Sequence, residues 1–349
     1  MLPSEPLFYG NSPLFPGIVF VIMKKMKCYA FGKEKETQAM VERYMKIEEL
    51  VQNTLQTVFQ DESLVFDKSR FAGGLTNYNY VMTIHGSEYV VREPGGMTDQ
   101  MIDRKIEKRN NAIASELGLN SACIYFDEET GIKISRYVDG SLNMAQSNPA
   151  DPEHLQAVAR VMKQVHTNPK PFSNQFDWKK ELTKYEEIVT KLKGSFFFDY
   201  TVLKEQLISL EQQHVLYTEI LPCHNDTVPE NFLLSDSGEV YLIDWEYAGL
   251  NDPSWDVAAY ILESRLSKEA IEQLLTAYYG KVPEESTINK IKCYALAQDL
   301  LWTVWALIRH YNGDDFLEYC VYRYDRLRKN MREMQKNTNY PLEEMVQSE

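Results

Sequence analysis

Cysteine is scarce and scattered in this chain. Its five cysteines, Cys28, Cys123, Cys223, Cys293 and Cys320, are odd in number and include no Cys-x-x-Cys pair. That excludes a disulfide framework and a structural zinc site, and it points to a reducing, cytoplasmic setting. Positive charge is also short: 37 Lys and Arg stand against 51 Asp and Glu, a formal net charge of −14. Phosphate backbones are held by clustered basic side chains, so a nucleic-acid partner is excluded. No stretch approaches the 18 or more apolar residues of a membrane span. Internal repeats, low-complexity tracts and Gly/Pro/Ser-rich linkers are absent as well, and no feature fixes an oligomeric state.

What remains is an ordinary globular composition, 44% apolar and 25% charged over 349 residues, long enough for about two domains. Residues 1–44 read as an extension outside the catalytic unit. Leu14 to Met23 is apolar, but its lysines (Lys24, Lys25, Lys27) follow it and Glu5 precedes it, the reverse of a secretory signal. Met23, Met26 and Met45 are alternative starts.

From residue 45 the pattern divides in two. Residues 46–60 have helical spacing, and then the period changes. Tyr78 to Ile84 and Glu88 to Arg92 alternate as strands around a His85-Gly86 turn. A helix is expected from about Asp99 to Leu117, stopped by Gly118, followed by short strands over Cys123–Phe126 and Ile132–Val138. This makes residues 45–138 a small β-rich lobe. Residues 139–349 read as mostly helical: Pro152–His166, Trp178–Lys193, Lys204–Gln213, Trp255–Leu266, Glu284–His310 and Phe316–Gln335. The only strands expected there are two short ones, 231–234 and 240–243, joined by the Ser235-Asp236-Ser237-Gly238 turn. A β lobe followed by an α lobe is an α+β, bilobal, protein-kinase-like arrangement.

The chemistry concentrates on that hairpin. His224-Asn225-Asp226-Thr227-Val228-Pro229-Glu230-Asn231 holds an Asp and an Asn separated by four residues, and Val240-Tyr241-Leu242-Ile243 delivers Asp244. In phosphotransferases such an Asp contacts the acceptor hydroxyl, while the Asn and the second Asp take Mg²⁺. The hairpin would bring Asn231 and Asp244 to one end. His224 is expected to brace the loop by hydrogen bonds rather than carry a proton.

On the nucleotide side, Gly73-Gly74-Leu75-Thr76-Asn77 sits between two strands, where backbone N–H groups can approach phosphate oxygens. The full Gly-x-Gly-x-x-Gly pattern is missing. Arg92 occupies the place of the phosphate-binding lysine and could grip phosphate bidentately, with Glu107 on the next helix as its partner. Ser135 to Val138 is the expected hinge, with Tyr137 and Val138 meeting adenine through their backbone.

The His224–Asn231 segment, taken with Asp244-Trp245-Glu246-Tyr247 and the following Ala248 to Asp256, resembles bacterial choline kinases. These belong to the choline/ethanolamine kinase and aminoglycoside phosphotransferase superfamily. The resemblance spans roughly residues 46–335. It implies ATP- and Mg²⁺-dependent phosphorylation of choline to phosphocholine, with Asp226 as the base, Asn231 and Asp244 as metal ligands, and Asp256 supporting the catalytic loop. Arg at position 92 also agrees with that family.

Choline is a cation without an N–H to donate, so aromatic faces suit it. Trp302 and Trp305, at i and i+3, share a helix face. Phe316 and Tyr319 repeat the spacing on the next helix and match positions that line the choline pocket in the family, with Tyr322 nearby. Glu246 and Glu263 are candidate counter-charges for the head group. Ethanolamine, thiamine or an aminoglycoside would be the alternative acceptors. A nucleotide-binding pseudokinase is the reading from another class, set against the intact Asp226, Asn231 and Asp244.

Overall fold

The computed structural model describes residues 34–346 except Pro171 and Thr338, so the expectations for residues 1–33 lie outside the described residues. The first lobe opens with helix α1 (Glu34–Phe59). The boundary expected at 44/45 therefore falls inside a continuous helix. Strands β1 (Phe71–Gly73), β2 (Tyr78–Ile84), β3 (Ser87–Glu93), β4 (Cys123–Phe126) and β5 (Lys133–Arg136) form one antiparallel sheet in the order β1-β2-β3-β5-β4. His85 and Gly86, at φ 49° and 78°, make the tight β2–β3 turn, as a two-residue hairpin with both central residues left-handed requires. Val51 and Leu55 of α1 pack with Met82, Ile84, Val91, Ile132 and Ile134 into this lobe's own core.

The helix expected over 99–117 is broken into α2 (Thr98–Met101) and α3 (Arg104–Glu116). Asp103 causes the break. Its carboxylate accepts from the N–H groups of Lys105 and Ile106, capping α3 and forcing an extended backbone at that point. Gly118, at φ 71°, does end the helical segment.

The second lobe contains α4 (Pro152–His166), α5 (Trp178–Lys191), α6 (Tyr200–His214), α7 (Ser254–Glu263), α8 (Lys268–Tyr279), α9 (Glu285–Tyr311), α10 (Leu317–Lys336) and α11 (Leu342–Val346). Two of these, α8 and α11, were not anticipated. Nor were three strands: β6 (Leu142–Asn143) pairs with β8 (Phe232–Leu234), and β7 (Leu221–Cys223) with β10 (Gly249–Asn251). The expected hairpin is present as β8 and β9 (Val240–Leu242). Helix α9 is long and apolar enough to cross a bilayer by length and composition, but that stretch is entirely buried. It packs against α5, α6, α7 and α10 as the axis of the lobe.

Candidate active site

The catalytic segment 224–231 runs from β7 to a 3₁₀ turn at Pro229–Asn231. Asn225 sits at φ 68°, a left-handed position that Asn tolerates better than most residues. The inverted residue is fastened on several sides. Its amide donates to the Tyr247 carbonyl at 3.0 Å, its side-chain oxygen accepts from Asn251, and its carbonyl accepts from the Trp255 indole. Sequence reading passed over Asn225.

Asp256, at the start of α7, receives the backbone N–H groups of His224 (2.8 Å) and Asn225 (2.7 Å), while Thr227 donates its hydroxyl to the Asp256 carbonyl. His166 reaches the same carboxylate through Nε2 at 3.0 Å and the Tyr278 hydroxyl through Nδ1. No local spacing links His166 to the loop, so the sequence offered no sign of it. His224 braces from inside. Its Nε2 donates to the Ile243 carbonyl, and its Nδ1 accepts from the Asp226 N–H. Burial lowers its pKa, so the neutral ring is the resting form.

Asp226 is held by Asn231, whose amide donates to the Asp226 carbonyl (2.8 Å) and to Oδ2 (3.1 Å). The amide nitrogen is thereby spent, and the Asn231 side-chain oxygen is the end with lone pairs to offer. The backbone N–H of Ile243 donates to the Asn231 carbonyl, which sets Asn231 beside the residue preceding Asp244. Asp244 itself is left-handed (φ 68°, ψ 65°) and half-buried. Loss of solvent, then the Asp244 and Glu246 carboxylates, push the Asp226 pKa well above the usual carboxylate range. An ion pair with a metal or a proton from an acceptor would relieve that stress.

The glycine loop lies between β1 and β2 as expected. Gly74 takes φ 121°, and a Cβ there would stand 2.0 Å from the Asn77 carbonyl. Gly95 is equally constrained, since its Cβ would lie 1.9 Å from the Thr76 carbonyl. Arg92 pairs with Glu107 as expected, but not with a free guanidinium fork. It makes four hydrogen bonds, two to Glu107 and two to the Gly131 carbonyl. Of five donors, one is left, on the NH1 that stands 3.9 Å from Asp244. Arg92 therefore has no free fork for a bidentate grip on phosphate and keeps one N–H to offer.

Asn77 and Glu246 also differ from expectation. Asn77 is buried away from the loop surface and donates to Glu246 at 2.9 Å, while Arg104 donates to the Asn77 side-chain oxygen and to both Glu107 and Glu246. Glu246 is thus held in an interlobe charge network with Asn77 and Arg104. Burial and Asp244 raise its pKa against the pull of Arg104. Burial also works to raise Glu107, but Arg92, Lys133 and Arg104 together hold it down. Arg104 lies three residues before Glu107 on α3, a spacing that could have identified it.

At the hinge, the Tyr137 N–H donates to the Glu88 carbonyl and the Val138 carbonyl accepts from Ser141. The Tyr137 carbonyl and the Val138 N–H are the backbone groups still available to a purine edge. Both residues line a cleft of about 390 Å³ with Arg136, Ser235, Asp236 and Tyr241.

Three of the expected aromatic residues, Trp305, Phe316 and Tyr319, gather in mutual contact. Trp305, on α9, meets Phe316 edge-to-face at 5.1 Å and Tyr319 at 6.3 Å. Trp302 meets a ring the sequence reading omitted, Tyr247, at 5.1 Å. Burial is the main cause of the raised pKa values of Tyr247 and Tyr319. The cage is not free of cations. The Arg309 guanidinium lies over Trp305 and Phe316, and that of Arg323 over Tyr319. Glu263, an expected counter-charge, is paired with Arg323 at 2.7 Å and Arg326 at 3.6 Å. Tyr322 stacks under Arg326.

Comparison with known proteins gives these positions a context. The Choline/ethanolamine kinase family model matches residues 69–273. The protein LicA of Haemophilus influenzae is 32% identical over 269 residues, covering 75% of this chain and 79% of that one. Ethanolamine kinase 2 of Mus musculus is 26% identical over 292 residues, 74% of each chain. The crystal structure of choline kinase LicA from Streptococcus pneumoniae superposes with a TM-score of 0.71 at 30% identity, covering 82% of this chain and 99% of that one. A LicA structure in complex with AMP gives 0.70 at 29%, covering 82% and 98%. The fold is therefore protein-kinase-like and its chemistry is transfer of a phosphoryl group to an alcohol: the chain belongs to the choline/ethanolamine kinase family.

Proposed function

We propose that this enzyme transfers the γ-phosphoryl group of ATP to the hydroxyl of choline, with Mg²⁺, to give phosphocholine. The observation that carries the reading is the position of Asp226. Asn231, which donates to its carboxylate, also accepts from the N–H of Ile243 next to Asp244. On its other side the neighbouring Asn225 donates to the carbonyl of Tyr247, whose ring meets Trp302.

The residues present suit a hard divalent cation. Asn231 and Asp244 offer oxygen donors, and Glu107, Asp244 and Glu246 bring carboxylate oxygens within 4.8 Å of one another. When bound, Mg²⁺ neutralises charge on the transferring phosphates. The chain's own groups do the rest. Gly73, Gly74 and Thr76 cover the phosphates with backbone N–H groups, Arg92 adds one N–H, and Tyr137 and Val138 hold the base. Asp226 orients the acceptor hydroxyl and takes its proton as oxygen bonds to phosphorus and the bond to the β-phosphate oxygen breaks. His224 and Asp256 keep the loop in register. Residues 45–138 would act as the nucleotide lobe and 139–349 as the catalytic lobe.

Choline is favoured over ethanolamine by the state of the carboxylates. An ammonium needs acceptors for its N–H groups, but Glu263 and Glu246 are already committed to guanidinium groups. Trp302 and Tyr247 remain as faces that suit a cation with nothing to donate. The test is a panel of choline, ethanolamine, thiamine and kanamycin with Mg·ATP, scored by ADP release and by the mass of the product. Turnover of ethanolamine exceeding that of choline overturns the choice of acceptor, and no turnover of any supports the pseudokinase.

A further inference from the structure

Arg309 makes a connection that neither the motif nor the family relationship assigns. It stands near the end of α9, only 2% exposed, four residues after Trp305. Its Nε donates to Asp314 at 2.8 Å, and its guanidinium faces the Trp305 and Phe316 rings at 5.6 and 5.1 Å. From there NH1 donates to the backbone carbonyl of Leu75 at 2.8 Å, in the middle of the glycine loop of the other lobe. The Leu75 side chain is 60% exposed, so the loop is held here by its backbone and not by packing. The same stretch is gripped from behind, where Thr76 closes on Gly95 and Asn312, at the end of α9, stands against Gly96.

We propose that Arg309 is a positioning residue that couples the aromatic acceptor site to the glycine loop, so that acceptor and nucleotide bind cooperatively through one guanidinium. The proposal rests on reading the aromatic rings as the acceptor site. A cation on Trp302 and Tyr247 steadies this part of α9, and Trp305, three residues on, bears the guanidinium together with Phe316. The guanidinium in turn holds the Leu75 carbonyl. Gly73, whose carbonyl accepts from Asn79, and Gly74 are then presented to the phosphates from a settled base. Each ligand orders what the other needs, which is the physical content of a coupling free energy.

The test is the affinity of Mg·AMP-PNP with and without saturating acceptor, using whichever of choline and ethanolamine the wild type turns over. The identity of that acceptor judges the proposed function, and the ratio of the two affinities judges this inference. Wild type should show a ratio of about fivefold or more. Arg309→Gln should bring it within about twofold of unity, and Arg309→Lys, which keeps the charge and one donor, should fall between. A purely structural brace would lower the melting temperature and leave the ratio intact. If Arg309→Gln does not fold, Asp314→Asn, which loosens the anchor and leaves the guanidinium in place, should reduce the ratio. Independent binding in wild type, or an undiminished ratio in the variants, overturns the proposal.

Discussion

The Asn77 amide donates to the Glu246 carboxylate across 2.9 Å, joining the glycine loop of the first lobe to the turn that carries Asp244 in the second. Arg104 closes the triangle by donating to both side chains. Two segments 169 residues apart are thereby held in fixed relation.

Substitution of Glu246 tests that triangle. The glutamine variant keeps an acceptor for Asn77, and burial already favours a neutral carboxyl at this position. Glu246→Gln should cost under about 1 kcal/mol, whereas Glu246→Ala leaves the buried Asn77 amide unpaired and Arg104 with Glu107 as its one carboxylate, and should cost about 2 kcal/mol. Urea midpoints measure both. Equal losses would show that the full charge is required.

Asp226→Asn separates chemistry from stability. Removing a positioned base should lower turnover about 10²–10⁴-fold while nucleotide binding stays close to wild type. Asp226 holds its proton more tightly folded than unfolded. Its favourable contribution is therefore complete below the ordinary carboxylate range and is lost as pH climbs towards the raised folded value. The variant has no such slope. Its melting temperature relative to wild type should rise between pH 4 and pH 8, by about 2 °C for each kcal/mol involved. A difference that does not change with pH would mean that Asp226 is not stressed in the fold.

Asp244 occupies a left-handed backbone position, so the choice of replacement matters. Asn accepts that conformation where Ala is strained. Asp244→Asn should fold normally, keep its acceptor KM within about twofold, and need at least about tenfold more Mg²⁺ for half-maximal rate. An unchanged Mg²⁺ titration removes Asp244 from the metal site.

Trp302 and Trp305 should now behave differently. Trp302 contacts Tyr247 and no guanidinium lies on it among the described residues, so Trp302→Ala should raise the acceptor KM about thirtyfold and spare the ATP KM. Trp305 carries Arg309, so Trp305→Ala should disturb both constants. Identical profiles for the two variants would dissolve the distinction.

Short-range chemistry was readable from the chain and long-range chemistry was not. Asp226, Asn231 and Asp244 are linked by a tight turn, a two-strand hairpin and fixed spacings, all properties of neighbouring residues. Asp103 was equally local. An Asp ahead of a helical stretch is a cap signal, and the break at 102–103 follows from it. Arg309 and Leu75 lie 234 residues apart, and Asn77 and Glu246 169. No periodicity connects such partners, so Asn77 read as a loop residue and Glu246 as an acceptor contact. The occupied faces of Trp305 and Tyr319 were hidden for the same reason. Helical spacing shows which side chains share a face, but not what lies on it from another element.

Helix α9 also works as a ruler. Asp299, which accepts from Arg323 and Arg326, stands in line with Trp302, Trp305 and Arg309 along ten steps of unbroken helix, about 15 Å, at spacings of three, three and four. Each added or lost residue turns everything beyond it by about 100°. A one-residue insertion after Trp305 would leave both tryptophans in place and swing Arg309 off the rings and away from the other lobe. Point substitutions can vary the acceptor site while α9 keeps its length. An insertion or deletion would uncouple the two halves of the reaction in a single step, so this ten-residue interval should drift in composition and not in count.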